Sequence, residues 1–262
     1  MTGSAFPAVF ALFLALTPSV KQRVAYVIDQ LTQEGFSRRE AQALFRDRRL
    51  RTYPPKKVAP HKIDWDQFIA TIVSPASVTG GEEFLTRYRG ILNQAEQRFG
   101  VDKEVVTAIF RIESNFGRNT GNYVTFNVFY TSLVRSVEES RWKRAAENLV
   151  SLALYCKRFH EDCYRIQGSY AGALGPAQFL PHTLELYGAD GNGDGLVDAF
   201  QNEDAIYSAA NFLAQNGWQE NHTEALGKYY GSTEGYPRAA LAYADSLRHQ
   251  IQAGFNGGEE RH

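Results

Sequence analysis

The sequence predicts a mainly α-helical protein, and three observations carry that prediction. Apolar residues recur at three- and four-residue spacings, sustained two-residue alternation is scarce, and several helical stretches close at glycine. The 262 residues suffice for one large domain, or one domain with a smaller companion, around a sizeable core. With 44% hydrophobic, 13% aromatic and 22% charged residues, the composition is that of an ordinary globular protein, so the fold class rests on pattern.

Residues 6–16, FPAVFALFLAL, form an apolar run of the length of a signal-peptide core, too short to span a bilayer. No Lys or Arg precedes it and no clean small-x-small site follows, so a leader and a packed N-terminal helix are both open readings. Export to the periplasm or cell envelope through an atypical signal segment in residues 1–19 is the expectation.

Residues 20–50 read as a helical hairpin. Val24, Ile28 and Leu31 lead to a break at Gly35-Phe36-Ser37, with Ser37 as N-cap, and Ala41, Leu44 and Phe45 follow. TYPPKKVAP, residues 52–60, has three prolines in nine positions and reads as an extended connector. Residues 20–81 therefore group as an N-terminal arm, 82–250 as the core and 251–262 as a flexible tail.

In the core, Phe84, Leu85, Tyr88, Ile91, Leu92, Ala95 and Phe99 mark one helical face, ended by Gly100. Asp102 then caps a helix carrying Val105, Val106, Ile109, Phe110 and Ile112. Residues 138–156 and 203–216 repeat the pattern, the second through Ile206, Ala209, Ala210 and Leu213 before Gly217.

The formal net charge of −1 argues against nucleic acid as a partner, because phosphate neutralisation calls for a basic excess. The cluster Arg38, Arg39, Arg46, Arg48, Arg49 and Arg51 reads as a solvated helix face or as a seat for an anionic polymer. Cys156 and Cys163 are seven apart; on one continuous helix their Cα atoms would stand about 10 Å apart, beyond disulfide reach, so a bond requires the helix to end between them. With six scattered His and no HExxH, a catalytic zinc is not expected, nor is an organic cofactor.

Three stretches bear on chemistry. In RIESNFG, 111–117, Glu113 lies four residues after Ile109 and three after Phe110, on the flank of the apolar stripe. Desolvation there would raise its pKa and hold it protonated as a general acid; a helix-end carboxyl bonded to Ser114, Asn115 or a backbone amide is the other reading. GSYAGALGPAQFLP, 168–181, concentrates small residues that let backbone approach a ligand, and Gln178 beside Phe179 offers a polar handle next to a ring; tight helix packing explains the glycines equally well. DGNGDGLVD, 190–198, places Asp190, Asn192 and Asp194 at positions 1, 3 and 5 of a calcium loop, Gly195 at the turn and the Leu196 carbonyl at position 7, with Gln201 where a Glu usually closes it. A hard cation held by six or seven oxygens would pin the loop rather than polarise a substrate.

In this order and spacing, RIESNFG, GSYAGALGPAQFLP and DGNGDGLVDAFQNEDAI resemble the lytic transglycosylase B family of bacterial peptidoglycan-cleaving enzymes, over roughly residues 20–250. The resemblance implies a lysozyme-like catalytic core with an EF-hand-like calcium loop. It also implies peptidoglycan glycan strands as substrate, with room for cell-wall enzyme partners. The reaction would cleave the β-1,4 bond between N-acetylmuramic acid and N-acetylglucosamine without water, leaving a 1,6-anhydromuramyl end. Glu113 matches the family's lone catalytic acid, with Ser114 beside it, and Ser169, Gln178 and Phe179 match the sugar groove. The family closes its calcium loop with an Asp just before Ala-Ile, which makes Asp204 the fifth ligand with Asp190, Asn192, Asp194 and Leu196. Where the family tends to carry Tyr-Asn, this chain has Tyr229-Tyr230, and Tyr236 matches a second groove tyrosine across a loop about one residue longer. A lysozyme-type hydrolase and a non-catalytic, calcium-stabilised peptidoglycan-binding protein are the competing functions.

Overall fold

The computed structural model describes residues 18–55 and 63–259, with side chains through 253. The apolar run 6–16 and the second half of the proline-rich connector lie outside the described residues. In chain order the elements are α1 (Val20–Gln33), α2 (Arg38–Leu44), α3 (Trp65–Ile72), α4 (Pro75–Arg87), α5 (Arg89–Phe99), α6 (Lys103–Ser114), β1 (Tyr123–Val124), α7 (Thr125–Arg135), α8 (Glu139–Phe159), β2 (Gln167–Gly168), α9 (Pro181–Tyr187), α10 (Asn202–Gln215), α11 (His222–Tyr230) and α12 (Tyr236–Glu259). The protein is mainly helical, with β1 and β2 forming a short antiparallel ribbon.

The chain divides into two compact units. One comprises the described residues up to Pro55 together with Asn122–Gly172; the other runs from residue 63 to Gly121 and from Ala173 onward. Residues 20–81, which the sequence groups as one arm, are thus shared between both units.

In the first unit α7 and α8 pack together, and α1 lies against both and against α2. Val27, Leu31, Leu133, Leu149 and Leu152 are fully removed from solvent there. Ser37 caps α2 with a complete capping box, its hydroxyl accepting from the Glu40 amide while the Glu40 carboxylate accepts from the Ser37 amide. Helix α8 ends at Phe159, and His160 turns the chain through a left-handed conformation with φ 55°. This reversal brings the Cα atoms of Cys156 and Cys163 to 5.6 Å, and the two are disulfide-bonded.

The second unit is built around α6. Val105, Val106, Ala108, Ile109 and Phe110 leave almost nothing exposed, covered by α12, α4, α5 and α10. The apolar face over 82–99 is broken at Tyr88 into α4 and α5 rather than continuous. Asp102 stands at the N-cap of α6, but its carboxylate accepts from Arg248 at 2.7 Å, and Glu96 Oε1 takes the Lys103 amide instead. The final helix continues to Glu259, so residues 251–259 are helical where the sequence suggests a flexible tail.

Candidate functional site

Glu113 is the penultimate residue of α6, a helix whose apolar stripe drives it through the centre of its unit. The helix cannot continue past Ser114. Asn115 and Phe116 both adopt left-handed backbone, at φ 51° and 60°, before Gly117 at φ 81°. Asn tolerates that region, whereas Phe enters it at a cost that its surroundings must offset. They do: the Phe116 amide donates to the Phe110 carbonyl at 2.9 Å, and its ring stacks on Phe84 with centroids 5.2 Å apart. Ser114 adds a second tie, its hydroxyl donating to the Pro176 carbonyl at 2.6 Å while accepting from the Gly117 amide at 2.8 Å. The side chain is buried and serves the helix end rather than facing solvent.

These constraints hold the Glu113 carboxyl in place. Tyr236, the first residue of α12, donates its hydroxyl to Glu113 Oε1 at 2.7 Å. Burial pushes the Glu113 carboxyl up to about 7, and the bond from Tyr236, which favours the charged form, pulls back only part of that rise. The C-terminal end of α6 is also the negative pole of its helix, an unfavourable place for a carboxylate. Among the described residues no second carboxylate contributes to the shift. The site therefore keeps a proton available near neutrality.

Aromatic residues surround this acid. Tyr236 is 0% exposed, and burial holds its own hydroxyl well above the usual phenol value. Tyr230 lies parallel over it, centroids 4.7 Å apart and planes within 6°. Tyr229 is near enough that the charge of Glu113 raises it further, after burial, and its hydroxyl donates to the Ala177 carbonyl at 2.7 Å. That carbonyl belongs to a tight loop closed by two backbone bonds between Leu174 and Phe179. Gly175 at φ 67° makes the loop possible, because a Cβ there would collide with the Ala199 carbonyl. Gln178 sits in left-handed backbone at φ 55°, its side-chain amide donating to Gly175 at 2.8 Å and to Thr120 at 3.3 Å. Phe179 turns inward, 5.4 Å from the Tyr229 ring. Glu113, Ser114, Gln178, Phe179 and the three tyrosines all belong to the second unit; Ser169, after β2, belongs to the first.

The loop 190–204 arranges its acids differently. Asp190 accepts from the amides of Gly193 at 2.6 Å and Gly195 at 2.8 Å, Asn192 from Asp194 at 2.9 Å, and Asp194 from Leu196 at 2.8 Å. Asp204, 1% exposed, accepts from Gly191 at 2.9 Å, Asn192 at 3.3 Å and Asp198 at 2.8 Å. Among the described residues no three His, Cys, Asp or Glu side chains converge as a group that could hold a metal ion.

Trp65 is a residue the sequence reading passes over. It meets the Tyr230 ring edge-on at 5.9 Å, and a lone Trp after a proline-rich connector gives no sequence signal for that contact.

Comparison with known proteins follows the same lines. A family model described as a transglycosylase SLT domain matches residues 19–233. The membrane-bound lytic murein transglycosylase B of Escherichia coli strain K12 is 29% identical over 166 residues, 62% of this chain and 44% of that protein, so the chain spans less than half the length of this curated relative. The Escherichia coli lytic transglycosylase Slt35 in complex with calcium superimposes with a TM-score of 0.77 at 19% identity, covering 90% of this chain and 94% of that one. SltB3 from Pseudomonas aeruginosa in complex with NAG-anhNAM-pentapeptide does so with a TM-score of 0.73 at 21% identity, covering 88% of this chain and 80% of that one. At these identities the structural likeness establishes a shared fold.

Proposed function

This chain belongs to the transglycosylase SLT domain family, and from that premise we propose that it is a lytic transglycosylase acting on the β-1,4 MurNAc-GlcNAc bond of peptidoglycan. The observation that carries the reading is the Glu113 carboxyl, raised to about 7 at the end of a buried helix and held by Tyr236. A carboxyl of that kind is protonated in a large share of molecules at neutral pH. It gives its proton to the glycosidic oxygen as positive charge develops at the muramyl C1. The resulting carboxylate then takes the proton of the muramyl C6 hydroxyl as that oxygen bonds to C1, closing the 1,6-anhydro ring and returning the acid to its starting state.

A hydrolase of the two-carboxylate type would need a second acid about 5 to 9 Å from the first. The resemblance to the lytic transglycosylase B family, in which Glu113 matches a lone catalytic acid, favours the single-carboxyl route over the lysozyme-type reading. Gln178 and Tyr229 are proposed as sugar contacts beside Glu113, with Phe179 packed behind the Tyr229 ring and Tyr236 on the acid itself. Ser169 is proposed on the resemblance alone, and Ser114 is reassigned to holding the end of α6, because its hydroxyl is engaged by Pro176 and Gly117. The test is mass spectrometry of muropeptides released from purified sacculi by wild type and Glu113→Gln. Anhydromuramyl products from wild type alone are expected; reducing-end products would mean a hydrolase, and no products from wild type would favour the binding protein.

The EF-hand-like loop is proposed to bind calcium, as one structural neighbour does. Its donor set of three carboxylates, one amide and the Leu196 carbonyl is all oxygen, which suits a hard cation in kind. Asp190, Asn192, Asp194, Leu196 and Asp204 would hold the ion, and Asp190 and Asp194 would have to release the loop amides they now cap. Calcium would supply no chemistry to the sugar, only a fixed entry into α10. A melting temperature that rises with calcium and falls with a chelator is expected; indifference to both would remove the proposal.

The bacterial cell envelope, where peptidoglycan lies, is the proposed location. Among the described residues no helix is long and apolar enough to cross a membrane. Fractionation that finds the chain in the cytoplasm alone would contradict the assignment.

A further inference from the structure

We propose that Tyr230, which stands where the resembled family tends to carry Asn, is a positioning residue for the acid: its ring clamps Tyr236 so that the Tyr236 hydroxyl stays on Glu113. The inference rests on the transglycosylase reading and gives it a part the sequence alone does not assign.

The argument starts from the chain path. Tyr230 is the last residue of α11, and Gly231, in left-handed backbone at φ 87°, stops the helix there. Five residues later the chain re-enters helix at Tyr236. This return brings the two rings face to face, 4.7 Å between centroids and 6° from parallel. Trp65 closes the stack from α3, meeting Tyr230 edge-on at 5.9 Å and 83°. The backbone of Gly235 passes so close to the Trp65 ring that any Cβ would collide with it. The turn between the two tyrosines is therefore held by Trp65, and the Tyr236 ring by Tyr230.

The Tyr236 hydroxyl, the side chain's one polar group, makes the 2.7 Å bond to Glu113 Oε1. Rotation of the Tyr236 side chain about its Cα–Cβ bond would carry the hydroxyl off Glu113, break that bond and free the carboxyl to turn. A parallel ring on its face opposes the rotation through area rather than through a hydroxyl. Tyr230 remains 44% exposed, which fits a side chain whose contribution lies in the face it covers rather than in its own burial. The other groups facing Glu113 do not compete for this task. Tyr229 donates to Ala177, and both tyrosine hydroxyls are held too high to titrate near neutrality.

Steady-state cleavage of soluble glycan strands by Tyr230→Ala, Tyr230→Phe, Tyr236→Phe and the Tyr230→Ala/Tyr236→Phe double variant tests the inference. Tyr230→Ala is expected to lower kcat about tenfold with KM changed less than about twofold, and Tyr230→Phe to restore kcat to within about threefold of wild type. The double variant is expected to be no worse than Tyr236→Phe by more than about twofold, because both changes act through one bond. A Tyr230→Ala effect confined to KM, or multiplying with that of Tyr236→Phe, would make Tyr230 a sugar contact and overturn the assignment. A readout that needs no turnover separates this inference from the transglycosylase reading. Isotope-edited infrared titration of Glu113 should move upward from about 7 in Tyr230→Ala and stay in place in Tyr230→Phe, since losing the Tyr236 bond removes support for the charged form. An unmoved midpoint in Tyr230→Ala overturns the clamp whether or not the protein cleaves glycan.

Discussion

At the end of α6 one carboxyl meets one neutral donor inside a wall of rings, whereas in the loop 190–204 four carboxyls, of Asp190, Asp194, Asp198 and Asp204, meet a row of backbone amides. The outcomes diverge. Burial raises Glu113 to about 7, while the amides of Gly195 and Gly193 hold the half-buried Asp190 below the usual carboxylate value. Asp204 shares features of both: burial raises it and the amides of Asp198, Gly191 and Asn192 pull it back. The same functional group thus stores a proton in one region and a fixed charge in the other, and the number of N–H donors relative to the loss of water decides which.

The largest effect expected from breaking this contrast is on turnover. Glu113→Gln preserves shape and can still accept from Tyr236, but it removes the exchangeable proton, so a loss of at least about a thousandfold is expected in the sacculus assay. In wild type, activity that depends on the protonated acid should fall about tenfold per pH unit once the pH passes about 7. A comparable loss in Asp204→Asn would show that both regions serve the chemistry and would erase the distinction.

Asp204→Ala probes the other side. It strips the acceptor from the amides of Gly191, Asn192 and Asp198 at a position that is 1% exposed. A destabilisation of about 3 kcal/mol is expected, read by denaturant or thermal unfolding, with turnover per folded molecule retained. Calcium should no longer raise the melting temperature of this variant. Reduced turnover at unchanged stability would instead tie the loop to the glycan.

How far the sequence reveals these two regions differs for a physical reason. Helical spacing locates α6 and the flank position of Glu113, because period and burial are local properties. The same reading ends the helix between Cys156 and Cys163 as the condition for their bond, and the left-handed turn at His160 meets that condition. Tyr236 is 123 residues from Glu113, and no local pattern states which tyrosine hydroxyl reaches a given carboxyl. Ser114 shows the limit from the other direction: adjacency to the acid suggests a ligand contact, but its hydroxyl is drawn inward by Pro176, which is 62 residues away. In the loop, Asp and Asn at alternate positions are the pattern of a calcium site and equally of side chains capping amides two or three residues on, so spacing does not separate the two states. The grouping of 20–81 as one arm meets a related limit, since a proline-rich stretch signals extended backbone but not which unit each flank joins.

The smallest expected effect is on stability and turns on sign. Glu113 has a folded pKa of about 7 against an ordinary 4.5, so the native protein binds this proton more tightly than the unfolded chain does. Its contribution to stability is fully present below the ordinary value and is lost as pH rises through about 7, the reverse of a carboxylate held by cations. The shift corresponds to on the order of 3 kcal/mol, reduced to roughly 2 kcal/mol because the carboxyl keeps some contact with water. Glu113→Gln cannot ionise and escapes the loss. The variant should therefore gain stability over wild type by roughly 2 kcal/mol between about pH 4 and about pH 8, measured by denaturant unfolding at each pH. A difference that stays flat across that range would mean that Glu113 ionises as readily in the fold as out of it, and the α6 terminus would then hold a fixed charge just as the loop does.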